Sequence, residues 1–210
     1  SWADRMRGSS RGSIRLGLID VAAVEHFDSV INSFRVERPE VSLSISVAPS
    51  AGLIADLRRG ALDLIVCVDP GAHAPGVDVT RVLSEPIVVI APSGTEIGPP
   101  ASWGPWVLFP DGSHTRASTM EALRALGADR TVVADSHQPS VVRAMVRLGM
   151  GWGALSRSPG GDAHGLVEGP ELFRRHLALM RRDQSPLDPA AIALAESIIA
   201  TGNRIDQRDR

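Results

Sequence analysis

Residues 63–68, DLIVCV, constrain the fold more than any other stretch of the chain. After one Asp the run is continuously apolar, without the polar alternation of a strand that has a wet face. It therefore predicts a strand covered on both sides, as in a parallel sheet packed between helices. The residues before it supply those helices. Residues 13–19, SIRLGLI, read as a mostly apolar strand. In 22–38, Phe27, Val30, Ile31 and Phe34 fall at helical spacing, and Pro39 ends the helix. Residues 41–47, VSLSISV, alternate strictly and predict a half-buried strand with Val41, Leu43, Ile45 and Val47 on one face. Ser50 stands at the N-cap position of a helix that carries Leu53, Ile54 and Leu57 and stops at Gly60. The order βαβαβ predicts an open α/β sheet with right-handed crossovers.

Two further strands are expected at 77–83 and 86–91, followed by a Gly/Pro-rich break at 92–105. The βα rhythm then resumes. Strands are expected at 106–109, 131–135 and 153–155, and helices at 115–126 and 139–148. A second break covers 158–170, a strand follows at 176–181, and Asp188 or Pro189 opens a last helix with Ile192, Leu194, Ala195, Ile198 and Ile199 on its apolar face. The tail GNRIDQRDR reads as polar and frayed. Two βα lobes result, with residues 1–12 as a linker, 13–92 plus 172–210 as lobe I and 93–171 as lobe II.

Composition narrows the functional classes. With 210 residues, 43% hydrophobic and 22% charged, the chain has the make-up of a soluble globular protein with a proper core. A formal net charge of −2 leaves no electrostatic footprint for nucleic acid or anionic membranes. All 22 basic residues are Arg, and Tyr is absent, a pattern of GC-rich codons and not of chemistry. The lone cysteine, Cys67, forms no internal disulfide, fits a reducing compartment and reads as a small buried hydrophobe. No run reaches the ~20 apolar residues of a membrane span. The start, SWADRMRGSSRGS, has no apolar core of the kind a secretory signal carries.

Two junctions share one design. FPDGSHTRASTMEAL at 109–123 and ISVAPSAGLIADL at 45–57 each run from an apolar stretch through small polar residues into a helix. Helix N-termini present unpaired N–H groups and partial positive charge, so Ser50 and Ser113–Thr115 could clamp a small anion between two lobes. Ordinary capping explains each junction taken singly. Asp20 and Asp69 follow the first and third strands, where they accept from a ligand amine or hydroxyl or cap the next element. His114 and His137 lie at second-lobe junctions, either lining a cleft or solvated. There is no His/Cys/Asp/Glu cluster at metal spacing, and no P-loop, GxGxxG or GxSxG motif. No cofactor is implied.

Several segments in order resemble the effector-binding domain of LysR-type transcriptional regulators. GSIRLGL at 12–18 is similar to its opening strand, and SFRVERPEVSLSI at 33–45 to its F-x-x-x-x-P-x-V-x-L segment. PSAGLIADLRRGALDLIV at 49–66 resembles its L-x-x-G-x-L-D-L segment, and VVRAMVRLGMGWGALSR at 141–157 its V-x-x-G-x-G-x-x-x-x-P segment, with Arg157 at the usual Pro. The family's early Leu-Pro is replaced by AAVEHF. The resemblance implies a two-lobe, type 2 periplasmic-binding-protein-like fold of two Rossmann-like α/β lobes joined by two crossovers. It implies a cytoplasmic sensor whose inter-lobe cleft binds a small metabolite, an organic acid or amino-acid-like anion, and which meets DNA only through a separate N-terminal winged helix-turn-helix. Effector contacts carried over by position are Asp20, Val21, Ser50, Ala51, Asp69, Asp111, Gly112, Ser113, His114, Thr115, Ser136 and His137. A homodimer through helices 22–38 and 139–148 is also implied. The competing expectations are a transport-type solute-binding protein and, on the same scaffold, an enzyme using Asp20, Asp69 and His114.

Overall fold

The computed structural model describes residues 12–72, 75–157, 165–183 and 186–208. The chain divides into two compact units, Ser1–Leu83 with Leu177–Arg210, and Ser84–His176.

In the first unit, β1 (Ser13–Leu18) lies parallel between β2 (Ser42–Val47) and β3 (Leu64–Val68), and β3 pairs antiparallel with the end of β8 (Val167–Arg182). Every residue of β3 is buried, as its unbroken apolar run requires. Ile14, Leu16 and Leu18 of β1 are fully buried beside Phe27, Leu53 and Leu57. The expected 22–38 helix is broken: Ala22–His26 form one π-helical turn, closed by Phe27 N–H donating to the Ala22 carbonyl at 3.0 Å, before α1 (Asp28–Glu37). That wider turn accompanies the burial of Phe27. The apolar face of β2 is covered only as far as half-buried Leu43; Ile45 is 42% and Val47 55% exposed, because β2 is the edge strand. α2 (Ser50–Arg58) ends before Gly60, whose φ of 79° only glycine adopts without strain. Arg182 Nη1 donates to the Leu57 and Leu62 carbonyls there.

β4 (Val77–Ala91) corrects the expectation of two strands: it is one strand of 15 residues. Pro86 lacks a donor, but its carbonyl accepts from Arg157 N–H at 3.1 Å, so pairing continues past it. β8 likewise begins well before residue 176, and its first, largely exposed residues include Gly169 and Pro170, which read as a break. The crossings between units therefore fall inside strands, at Leu83/Ser84 and His176/Leu177. Both Gly/Pro-rich stretches belong to the second unit, and residues 158–164 of the second stretch, like 1–11 of the expected linker, lie outside the described residues.

In the second unit, β4 pairs antiparallel with β7 (Trp152–Ser156), which lies parallel to β5 (Trp106–Leu108), itself parallel to β6 (Val132–Asp135). Alternation along β4 feeds two cores. Ile87 and Val89 pack with Trp103, Trp106 and Trp152, whereas Val88 and Ile90 pack with Val107, Val142 and Val146. α3 (His114–Leu126) and α4 (Pro139–Arg147) follow β5 and β6. α5 (Pro189–Arg208) returns to the first unit and takes in most of the tail expected to fray. Its start is set by Asp188, whose Oδ1 accepts from Ala190 N–H at 2.8 Å.

Candidate ligand-binding site

The expected site residues stand at the carboxyl ends of parallel strands, where open α/β sheets bind ligands. In the first unit Asp20 and Val21 follow β1, Ser50 and Ala51 follow β2, and Asp69 follows β3. Backbone bonds hold these ends in step: Ile19 N–H donates to the Val66 carbonyl at 3.1 Å and Ala48 N–H to the Leu18 carbonyl at 3.2 Å. Ser50 is the first residue of α2, not its side-chain cap; its Oγ accepts from Val68 N–H at 3.3 Å, which ties the helix start to the end of β3. Val21 turns its side chain into the core, and Ala51 is exposed.

Asp69 has a partner that sequence reasoning missed. Its side chain is 1% exposed, accepts from Gly71 N–H at 2.8 Å and pairs with Arg81 Nε at 2.7 Å. The contact joins the end of β3 to β4, and no local spacing signals it. Beside it, burial foremost, together with the Asp69 charge, pushes the Cys67 thiol up to about 12 against a hydrogen bond with Ser50 that lowers it. Cys67 is accordingly a buried neutral thiol.

The second unit places a capped helix start beside a guanidinium. Ser113 caps α3, its Oγ accepting from Arg116 N–H at 3.4 Å, after a tight turn at Gly112 with φ 84°. Asp111, Gly112, Ser113, His114, Arg116, Ala117 and Met120 line a cavity of about 250 Å³ over that helix start. Arg116, also missed in the sequence, keeps its guanidinium there: Nη1 donates to the Phe109 carbonyl at 2.8 Å and Nη2 lies 3.2 Å from Asp111. A cation beside a helix N-terminus favours a bound carboxylate or phosphate. Thr115 is buried, with its Oγ1 accepting from Arg175 Nη1 at 3.0 Å. Ser136, at the end of β6, sits beside the β5 end through its N–H to the Leu108 carbonyl at 3.1 Å, while His114 and His137 are exposed. No group of three or more metal-ligating side chains occurs among the described residues, and no described helix is long and apolar enough to cross a membrane.

A sequence profile of the LysR substrate binding domain matches residues 7–202. The chain belongs to that family. The LysR substrate binding domain is a regulatory domain of transcriptional regulators, and this one has the family's two-lobe, periplasmic-binding-protein-like fold. Its fold is similar to the effector binding domain of QuiR in complex with shikimate, with a TM-score of 0.80 at 15% identity over 93% of this chain and 99% of that one. The cofactor-binding domain of the Cbl transcriptional regulator gives 0.80 at 16% identity over 94% of each chain. The C-terminal domain of a probable LysR family transcriptional regulator from Rhodococcus sp. RHA1 gives 0.76 at 20% identity over 89% of this chain and 98% of that one. In sequence, this LysR domain is 30% identical over 196 residues, 86% of its length, to the phosphonates import ATP-binding protein PhnC of Anaeromyxobacter dehalogenans (strain 2CP-C). The chain spans 39% of that relative's length.

Proposed function

We propose that this domain is the ligand-sensing part of a cytoplasmic LysR-type regulator, and that its effector is a small organic acid or amino-acid-like anion. The observation that carries the reading is the start of α3, where the Ser113 cap, the helix N-terminus and Arg116 border one cavity. The anionic group of the effector binds there. In the first unit, Ser50 and Asp20 at the strand ends are groups of the kind that take up a hydroxyl or amine. The shikimate bound by the effector binding domain of QuiR, a hydroxylated carboxylate, is a ligand of this chemical kind. DNA contact belongs to a separate domain of the regulator, in keeping with a net charge of −2.

The test is a thermal-shift titration of shikimate, succinate, methylphosphonate and inorganic phosphate against the wild type, Ser50→Trp and Ser113→Trp. A ligand at 100 times its Kd adds about 2.7 kcal/mol of stability. Both variants should lose the shift seen with the wild type; unchanged affinity in both would overturn the assignment.

We also propose that the domain pairs with a second copy through 22–38 of one chain and 139–148 of the other. Val24 (66% exposed) and Val36 (72%) leave apolar surface on the first segment, and Leu148 (79%) on the second. Sedimentation at tens of micromolar should give a dimer, and a monomer there would remove this interface.

A further inference from the structure

Arg175 is a buried guanidinium, 7% exposed, on β8 just before the chain passes from the second unit to the first. Its Nε and Nη2 both donate to Glu85 Oε1, Nε at 2.7 Å, and Glu85 is 5% exposed on β4 just after the opposite crossing. Its remaining Nη1 donates to Thr115 Oγ1 at 3.0 Å, in the first turn of α3. The adjacent Arg174 points to the other face, with Nε at 3.0 Å from Ser84 Oγ and Nη2 at 2.8 Å from the Ser84 carbonyl. Both strand crossings are thus pinned by arginine on the second-unit side, and one of the two arginines reaches the α3 start. A buried ion pair of this kind adds little net stability compared with apolar packing. What it does supply is fixed geometry, because planar guanidinium donors hold their partners at set positions.

We propose that Arg175 is a positioning residue that couples the start of α3 to the two strands on which the chain passes between its units. An anion on the first-turn N–H groups of α3 displaces Thr115; Arg175 follows Thr115, and Glu85 follows Arg175. The inference rests on the reading of Ser113–Arg116 as an effector anchor, and the experiment separates the two.

Thr115→Val cuts the chain of contacts at one hydrogen bond and leaves the Arg175–Glu85 pair intact; Thr115→Ser restores the hydroxyl. Amide hydrogen exchange is followed in the wild type and both variants, with and without whichever of shikimate, succinate, methylphosphonate or inorganic phosphate gives the largest thermal shift. In the wild type that compound should slow exchange in 114–118 and also in 84–90 and 170–176. In Thr115→Val the slowing at 114–118 should remain, while the response in the two strands falls about tenfold, the loss of one charge-assisted hydrogen bond. Thr115→Ser should respond as the wild type does, which a merely structural role of the site would not require. A strand response that survives in Thr115→Val overturns the coupling alone. Absence of slowing at 114–118 in the wild type with that compound overturns the anchor and the coupling with it.

Discussion

Arg81 Nε lies 2.7 Å from Asp69 Oδ2, pairing a guanidinium that is 61% exposed with a carboxylate that is 1% exposed. The acid at the end of β3 is therefore not an open acceptor for a ligand amine, since it already holds Arg81 and Gly71. Replacing Arg81 by Met removes a paired cation from a buried carboxylate. The expected loss is about 1–3 kcal/mol, below that of a fully buried pair because Arg81 is half in solvent. Urea unfolding of Arg81→Met against Asp69→Asn/Arg81→Met tests it: the double variant should recover part of the loss. Equal stability of wild type and single variant would show that the pair contributes nothing.

Cys67 should be unreactive in the native state. Its thiol is pushed up to about 12, so at pH 8 it is protonated and shielded. Iodoacetamide should label it only as fast as the domain opens, and urea should bring the rate to that of a free thiol. Rapid labelling of folded protein would contradict the burial. The sign for stability follows: a raised thiol contributes below the unfolded value of about 8.5 and loses that contribution as pH climbs toward the native value.

Gly202 permits the closest packing of α5. A Cβ built there would overlap the Val82 carbonyl oxygen and lie 2.7 Å from its carbonyl carbon, both of them backbone with little room to yield. Gly202→Ala should therefore destabilise the domain, by about 3 kcal/mol or more, despite alanine's better helix propensity. Gly52, in α2 with nothing within 4 Å of its Cβ position, is the control: Gly52→Ala should be neutral or stabilising by up to about 1 kcal/mol. Melting temperatures of the two variants decide it.

Asp63 sets part of the acid limb of stability. Burial alone would raise its carboxyl, but hydrogen bonds and charge from Arg15, joined by Arg182, leave it lowered. A lowered acid contributes fully above its unfolded value of about 3.9 and loses that contribution as pH falls through the native value. The stability difference between wild type and Asp63→Asn should be constant above about pH 5 and shrink below about pH 4. A difference that grows on acidification would reverse the sign.

Where periodicity and burial agreed, the elements were legible. The bare run of β3 and the Ser113 cap are local signals found where such signals put them, and the spacing of Val30, Ile31 and Phe34 falls in a helix that starts only at Asp28. The long strands were not legible, because Pro86, Gly169 and Pro170 are breakers by local rule yet tolerated by neighbouring strands. Nor was the π-helical turn before the buried Phe27, which no local signal marks. At the candidate site, the residues after each strand could be named by position from the family resemblance. Arg81, Arg116 and Arg175 could not, in a chain whose 22 basic residues are all Arg and give no contrast.

The sequence by itself determined the βαβ order, the strand ends that carry polar residues, and the family. Those depend on periods of about 2 and 3.6 residues and on capping chemistry, which act within a few positions of the chain. Only the tertiary structure decided the partners: Asp69 with Arg81, Ser50 with Val68, and Arg175 with Thr115 and Glu85. Arg175 lies 60 residues from Thr115 and 90 from Glu85, and such contacts form only once the sheet has brought β4, β8 and α3 together. A buried charge then takes the partner that folding puts within reach, and no local pattern records which one that is.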